Sequence, residues 1–409
     1  MVPLATRKFP SPHAVRRANR RPWRSILAVL LGWAASAHAL AMTLEIETTP
    51  AGDIFPTLEM SQTGGNGPGG QAGGNGLLRV RLGKPASPRD VRVVVSTAGL
   101  RAATVIDARI DRDTILRPRL EWDAAALRRL NAVRRQTLRV TLTSPGMAPV
   151  ERELDIRVHP LDEALYFVRE GKARVDLGWT FAAWVDPRDP VIDELFALAG
   201  MPAAPGAAAP RGRAERLRAV RAIWTALERR GIRYADERVG ISQGPVIYSQ
   251  RVRLPSSTWD DRVANCMDGS VLIASALERL GIDSFIVLVP GHAFVGFYTD
   301  AGKREAEFLE TTLLGSGRRS VAAESEAQVR RRAEAGFEAA RRAGGERYRL
   351  AAPRLDGRHR PAYALIDIST ARAYGIMPLA IGRGESSAVA PMAVTQPDPS
   401  PHPSSQSSE

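Results

Sequence analysis

Cysteine is almost absent from this 409-residue sequence: Cys266 is the only one. A lone thiol excludes an internal disulfide, and with it every disulfide-stapled scaffold. Lysine is nearly as scarce, with Lys8, Lys84, Lys172 and Lys303 alone, so arginine carries the net charge of +13. That bias runs through every segment and reads as compositional, which argues against a nucleic-acid partner. Residues 1–41 contain no acid but seven Arg or Lys, leaving +6 on the remainder. The apolar run at 25–37 falls short of the roughly 20 residues that a bilayer span needs. No Cys/His or Asp/Glu cluster has metal-ligand spacing, and the glycine-rich stretch 64–76 lacks the lysine of a phosphate loop. No metal and no other cofactor is expected.

What is present begins with the form of an export signal. A basic stretch precedes the apolar run, and Ala37-His38-Ala39 follows as a cleavage site, with residues 39–41 a second choice. The expectation is a periplasmic or secreted protein. The alternative is an inner-membrane anchor over residues 25–41, the only membrane contact foreseen. Short period-2 runs then recur from 77 to 158 (LLRVRL, DVRVVVS, TLRVTLT, RELDIRV), separated by turn residues. They predict a β-sandwich-like domain over 43–160, with a short helix within 123–130 and a flexible Gly-rich loop at 64–76. After Pro160 the pattern predicts an α+β domain over 161–380. Its helices fall at 191–199, 213–230, 265–280 and 321–342, and its strands at 285–289, 293–299, 307–312 and 364–368. Arg and Glu interleave on the 321–342 helix, which reads as a salt-bridged, solvated face. The Pro/Ser-rich residues 384–409 predict a disordered tail.

Cys266 lies where the 265–280 helix begins, just after Asn265, a capping residue type. Unpaired N–H groups at a helix start favour thiolate over thiol and can hold a developing oxyanion. A thiolate needs an imidazole partner. His13 and His38 leave with the signal, His402 lies in the tail, His159 ends a strand of the other domain, and His359 sits in a polar loop. His292 remains, in the same segment as the thiol. A hairpin turn at 300–303, centred near Ala301, brings Glu310 opposite His292 as the group that orients the ring. Asp300 would lie at the far tip. Gln250 is a candidate oxyanion donor or a structural hydrogen-bonding side chain. Asp268 is a helix cap, a substrate contact or, preferentially, a solvated first-turn acid. Trp259 either walls the cleft or packs behind it. Ser270 and Ser275 lie within the helix and not at a nucleophile elbow.

The order of Cys266, His292 26 residues on, and Glu310 18 beyond that is similar to the transglutaminase-like superfamily, a branch of the papain-like thiol fold. The segment QRVRLPSSTWDDRVANCMDGSVLIASALERLGIDSFIVLVPGHAFVGFY resembles the core of that domain. FLETT stands where the superfamily has its Asp-containing strand, with Glu310 in place of Asp. The match looks closest to a bacterial subgroup in which such a domain follows a β-rich segment. The resemblance implies a nucleophile helix packed on an antiparallel sheet. It also implies a Cys-His-Glu triad acting on peptide or isopeptide amides through a thioester acyl-enzyme, by hydrolysis or transamidation. The partner would be a protein or peptide, including a cell-envelope component. The alternative is a catalytically idle domain of the same fold serving as an envelope binding or scaffold protein.

Overall fold

The computed structural model describes residues 42–62, 77–170, 172–202, 209–236, 247–316, 325–379 and 381. The expected signal, the Gly-rich loop 64–76 and the tail 384–409 lie outside the described residues. No helix among the described residues is long and apolar enough to cross a membrane.

The first part of the chain runs through β1 (Leu44–Thr48), β2 (Asp53–Ile54), α1 (Pro56–Met60), β3 (Leu78–Leu82), β4 (Arg89–Ser96), β5 (Thr104–Ile110), β6 (Thr114–Leu116), α2 (Ala124–Arg128), β7 (Arg134–Ser144) and β8 (Met147–Val158). The strands make two sheets, ordered β1-β3-β6 and β2-β8-β7-β4-β5, antiparallel except where β2 lies beside β8. Alternation explains them. Val91, Val93 and Val95 of β4 and Leu138, Val140 and Leu142 of β7 are buried, while Arg92 and Arg139 between them face solvent. Leu44, Leu78, Val80 and Leu82 of the smaller sheet join the same core. Asp123 caps α2 by accepting from Ala125 N and Ala126 N.

The second part contains β9 (Glu163–Glu170), β10 (Ala173–Asp176), a 3-10 turn (Gly178–Trp184), α3 (Pro190–Ala199), α4 (Gly212–Arg230), β11 (Arg233–Tyr234), β12 (Ile247–Arg251), α5 (Pro255–Asp261), β13 (Val263–Ala264), α6 (Cys266–Arg279), β14 (Ser284–Val289), β15 (His292–Tyr298), β16 (Ala306–Leu309), α7 (Glu326–Ala351), β17 (Ala364–Asp367) and α8 (Ile368–Ala373). The sheets are β10-β9-β12, the parallel pair β11-β13, and the antiparallel β16-β15-β14-β17. The chain is thus mixed α/β with mainly antiparallel sheets, consistent with α+β.

α6 departs from an amphipathic helix. Met267 to Leu277 are all buried, so it is a core helix. Each fully buried Leu or Ile there contributes about 1.5–3 kcal/mol. Its two serines are satisfied within the helix: Ser270 Oγ donates to Cys266 O at 2.7 Å and Ser275 Oγ to Val271 O at 2.8 Å. α7 runs nine residues past the expected Arg342. Its charged face is less a solvated surface than a clasp on α4, through Arg221–Glu338, Arg229–Glu326 and the buried Arg332–Glu228 pair.

A polar knot joins the two parts. His159 is buried, with Nε2 2.9 Å from Asp53 Oδ1 and Nδ1 2.9 Å from Glu163 Oε2. Phe55 stacks on its ring. Asp53 also binds Arg157, and Glu163 accepts from the Ser249 hydroxyl of β12.

Candidate active site

Local backbone geometry puts Cys266 at the head of its helix. Arg262, in the left-handed region at φ 55°, closes α5 and turns the chain into β13, whose Ala264 pairs with Tyr234. Asn265 is then extended (φ −80°, ψ −177°) and Cys266 is the first helical residue. Asn265 Oδ1 accepts from Met267 N at 2.8 Å and Asp268 N at 2.9 Å, and Asp268 Oδ2 accepts from Asn265 N at 3.0 Å. This reciprocal capping box uses up the amides of Met267 and Asp268. The expectation that several first-turn N–H groups await an oxyanion is corrected accordingly. Among the described residues, the Cys266 N–H is the first-turn donor with no acceptor.

His292 is delivered by a two-residue turn. Val289 pairs with His292, Pro290 leads the turn, and Gly291 takes φ 70°, which a side chain would strain. The imidazole opens β15, with Nε2 3.0 Å and 2.8 Å from the two carboxylate oxygens of Glu310. The Cys266 thiol lines the same cleft and is among the groups that raise this ring's pKa. With Nε2 on the acid, Nδ1 is the nitrogen that Glu310 leaves available.

The route by which Glu310 arrives differs from the expected one. Thr299 N bonds Glu305 O, and β15 pairs Val295 with Leu309, so the hairpin centres on Gly302 and not Ala301. Continued, that register would set Glu310 beside Phe294. β16 instead ends at Leu309, and Glu310 caps the 3-10 turn Thr311–Leu313, from which its side chain reaches His292. A slip of two pairing positions keeps the face, so the acid stays on the side of the imidazole. Asp300 caps the hairpin turn, accepting from the amides of Gly302, Arg304 and Glu305.

Burial is the largest single influence on His292 and lowers its pKa. Hydrogen bonds to Cys266 and Glu310, with their charges, outweigh it and lift the imidazole to about 9. Burial likewise pushes Glu310 up, but His292, Thr312 and Arg347 together hold the carboxyl below its usual range.

The thiol and imidazole line a cleft of about 590 Å³, with Gln250, Tyr248, Tyr166 and Asp236 on its walls. Gln250 comes from edge strand β12, and among the described residues nothing is hydrogen-bonded to its side-chain amide. Two candidates lie elsewhere. Asp268 is 1 % exposed, not solvated, and its carboxylate is taken by Asn265 N, Arg253 N and Arg253 Nη1. Trp259 is buried away from the cleft, with Nε1 2.8 Å from Glu194 and the Arg230 guanidinium 5.0 Å from its ring centre. Ser270 and Ser275 are fully buried.

Three contributors escaped sequence reasoning. Tyr248 shares a strand face with Gln250, a signal that the unassigned strand 247–251 concealed. Thr312 donates to Glu310 through both N (3.2 Å) and Oγ1 (2.8 Å). Arg347 reaches Glu310 Oε2 at 2.7 Å from α7, with the Gly344-Gly345 pair one turn earlier as the only hint. The sequence matches no protein-family model and no curated protein, so the site rests on its own geometry.

Proposed function

We propose that the cleft is the active site of a cysteine-dependent, amide-acting enzyme with a transglutaminase-like core, preceded by a β-sandwich-like part. The observation that carries this reading is the setting of one imidazole on the cleft wall: His292 shares that cleft with the Cys266 thiol, which raises its pKa, and is held through Nε2 by a buried Glu310.

An imidazole titrating at about 9 is an imidazolium at neutral pH, the partner a thiolate needs. Cys266 Sγ attacks the carbonyl carbon of a carboxamide. The carbonyl oxygen takes the charge and accepts from the Cys266 N–H and the Gln250 amide. As the C–N bond breaks, His292 gives its proton to the leaving amine, leaving a thioester on Cys266. Water (hydrolysis) or an amine (transamidation) then attacks the thioester while His292 takes the incoming proton. The substrate is a protein or peptide, such as a cell-envelope component met after export by residues 1–41.

The test is the rate of Cys266 alkylation by iodoacetamide across about pH 5 to 10. Wild type is expected to react at lower pH than His292→Ala. Equal profiles would remove the activated pair and leave the idle binding or scaffold domain as the reading.

A further inference from the structure

Glu310 is 2 % exposed, and its carboxylate meets groups from two further elements besides its own turn. Oε1 accepts from Thr312. Oε2 forms an ion pair with Arg347, Nε lying 2.7 Å away, and is 2.8 Å from His292 Nε2, so a guanidinium and an imidazole converge on one oxygen. His292 in turn faces Cys266 from α6 and Glu310. Of the neighbouring arginines of α7, Arg341 pairs with Glu307 and Glu338, and Arg349 with Glu346.

The reach of Arg347 is fixed by backbone contact. Glu310 N donates to Ala340 O at 3.0 Å, on the turn of α7 that ends at Gly344. A Cβ on Gly344 would come within 2.9 Å of Leu309 N and Phe308 C. Helix and acid therefore touch main chain to main chain, and the arginine one turn later falls on the carboxylate. Arg347 is 44 % exposed, so its own folding role is small, while the oxygen it touches is sheltered.

We propose that Arg347 is a positioning residue of the thiol–imidazole pair: by sharing Glu310 Oε2 with His292 it keeps the acid an anion while drawing off part of its charge. The imidazolium is thereby held less tightly and can release its proton to a leaving amine. Without Arg347 the whole charge of Glu310 bears on His292, since Thr312 still holds the carboxylate in place. This rests on the catalytic reading of the site, and the experiment separates the two.

The measurement is the titration of His292 in the full chain carrying ¹⁵N-histidine, with its signal assigned by loss in His292→Ala. Arg347→Gln is expected to raise the His292 midpoint by about 0.5–1 pH unit. Arg347→Lys, which keeps the charge, should return it most of the way. An unchanged midpoint in Arg347→Gln, or a fall like that expected for Glu310→Gln, would overturn the proposal. Cys266→Ala is the separate arm. If it leaves His292 unmoved while Arg347→Gln shifts it, the thiol pairing fails and the arginine's role stands. The opposite pattern sinks the arginine's role and keeps the pairing.

Discussion

His159 and His292 are both sheltered imidazoles facing carboxylates, yet they are built for different ends. Both ring nitrogens of His159 face carboxylate oxygens, which only the doubly protonated ring can satisfy. Burial, the largest influence, lowers its pKa, but Asp53 and Glu163 raise it above the ordinary value. A raised histidine pKa contributes stability in full below about 6.5 and loses it as pH climbs through the folded value. His159→Ala, which removes the imidazolium shared by two buried acids and leaves Glu163 with the Ser249 hydroxyl and Asp53 with Arg157, should lower unfolding free energy by about 3 kcal/mol near pH 6. The difference from wild type should narrow in alkaline denaturant melts, and a pH-independent gap would contradict this ionic role. His292 offers one nitrogen to an acid and leaves the other free of it on the cleft wall it shares with Cys266, an asymmetry suited to moving a proton. That contrast was half legible: elimination among six histidines singled out His292, while one partner of His159, Asp53, lies 106 positions away and the other, Glu163, follows four residues on, beyond Pro160.

At the level of elements, short-range patterns told more than long-range ones. Period-2 alternation located β3, β4, β7 and β8, and helical spacing located α3, α4 and α6. The strand β9 escaped because its Leu165, Phe167 and Val168 are buried on both faces, which leaves no alternation to read. The hairpin slipped by one residue at its centre because Asp300 binds three turn amides, a side-chain effect that turn composition alone leaves open. α7 outran its expected end by running through Gly344 and Gly345, and Gly344 is kept for close approach to β16. Gly344→Ala should therefore destabilise by about 1–3 kcal/mol despite its better helix propensity, because backbone atoms sit where the methyl would go. Gly345→Ala, with open space around it, should be neutral or stabilising. Thermal melts of the two single variants check the contrast, and equal shifts would refute it.

Across the whole molecule, residues from Met42 onward form one compact unit, and a single apolar cluster runs from Met42 to Ile381. Phe55 and Leu58, from before β3, pack on Leu165 and Val168 of β9. One cooperative transition is therefore expected in calorimetry, and a chain begun at residue 161 should melt earlier or fail to fold. Two resolved transitions would show separable parts. That continuity was invisible in a sequence whose texture changes at Pro160, because a change in periodicity marks a change in architecture and not a gap in the core. Cys266, half-buried on the cleft wall, is also the chain's entire sulfhydryl inventory. A polypeptide with one such valence can be oxidised into a covalent pair but never into a longer polymer. On a non-reducing gel, the intensity of the doubled band would therefore gauge how far one molecule's cleft opens to another's.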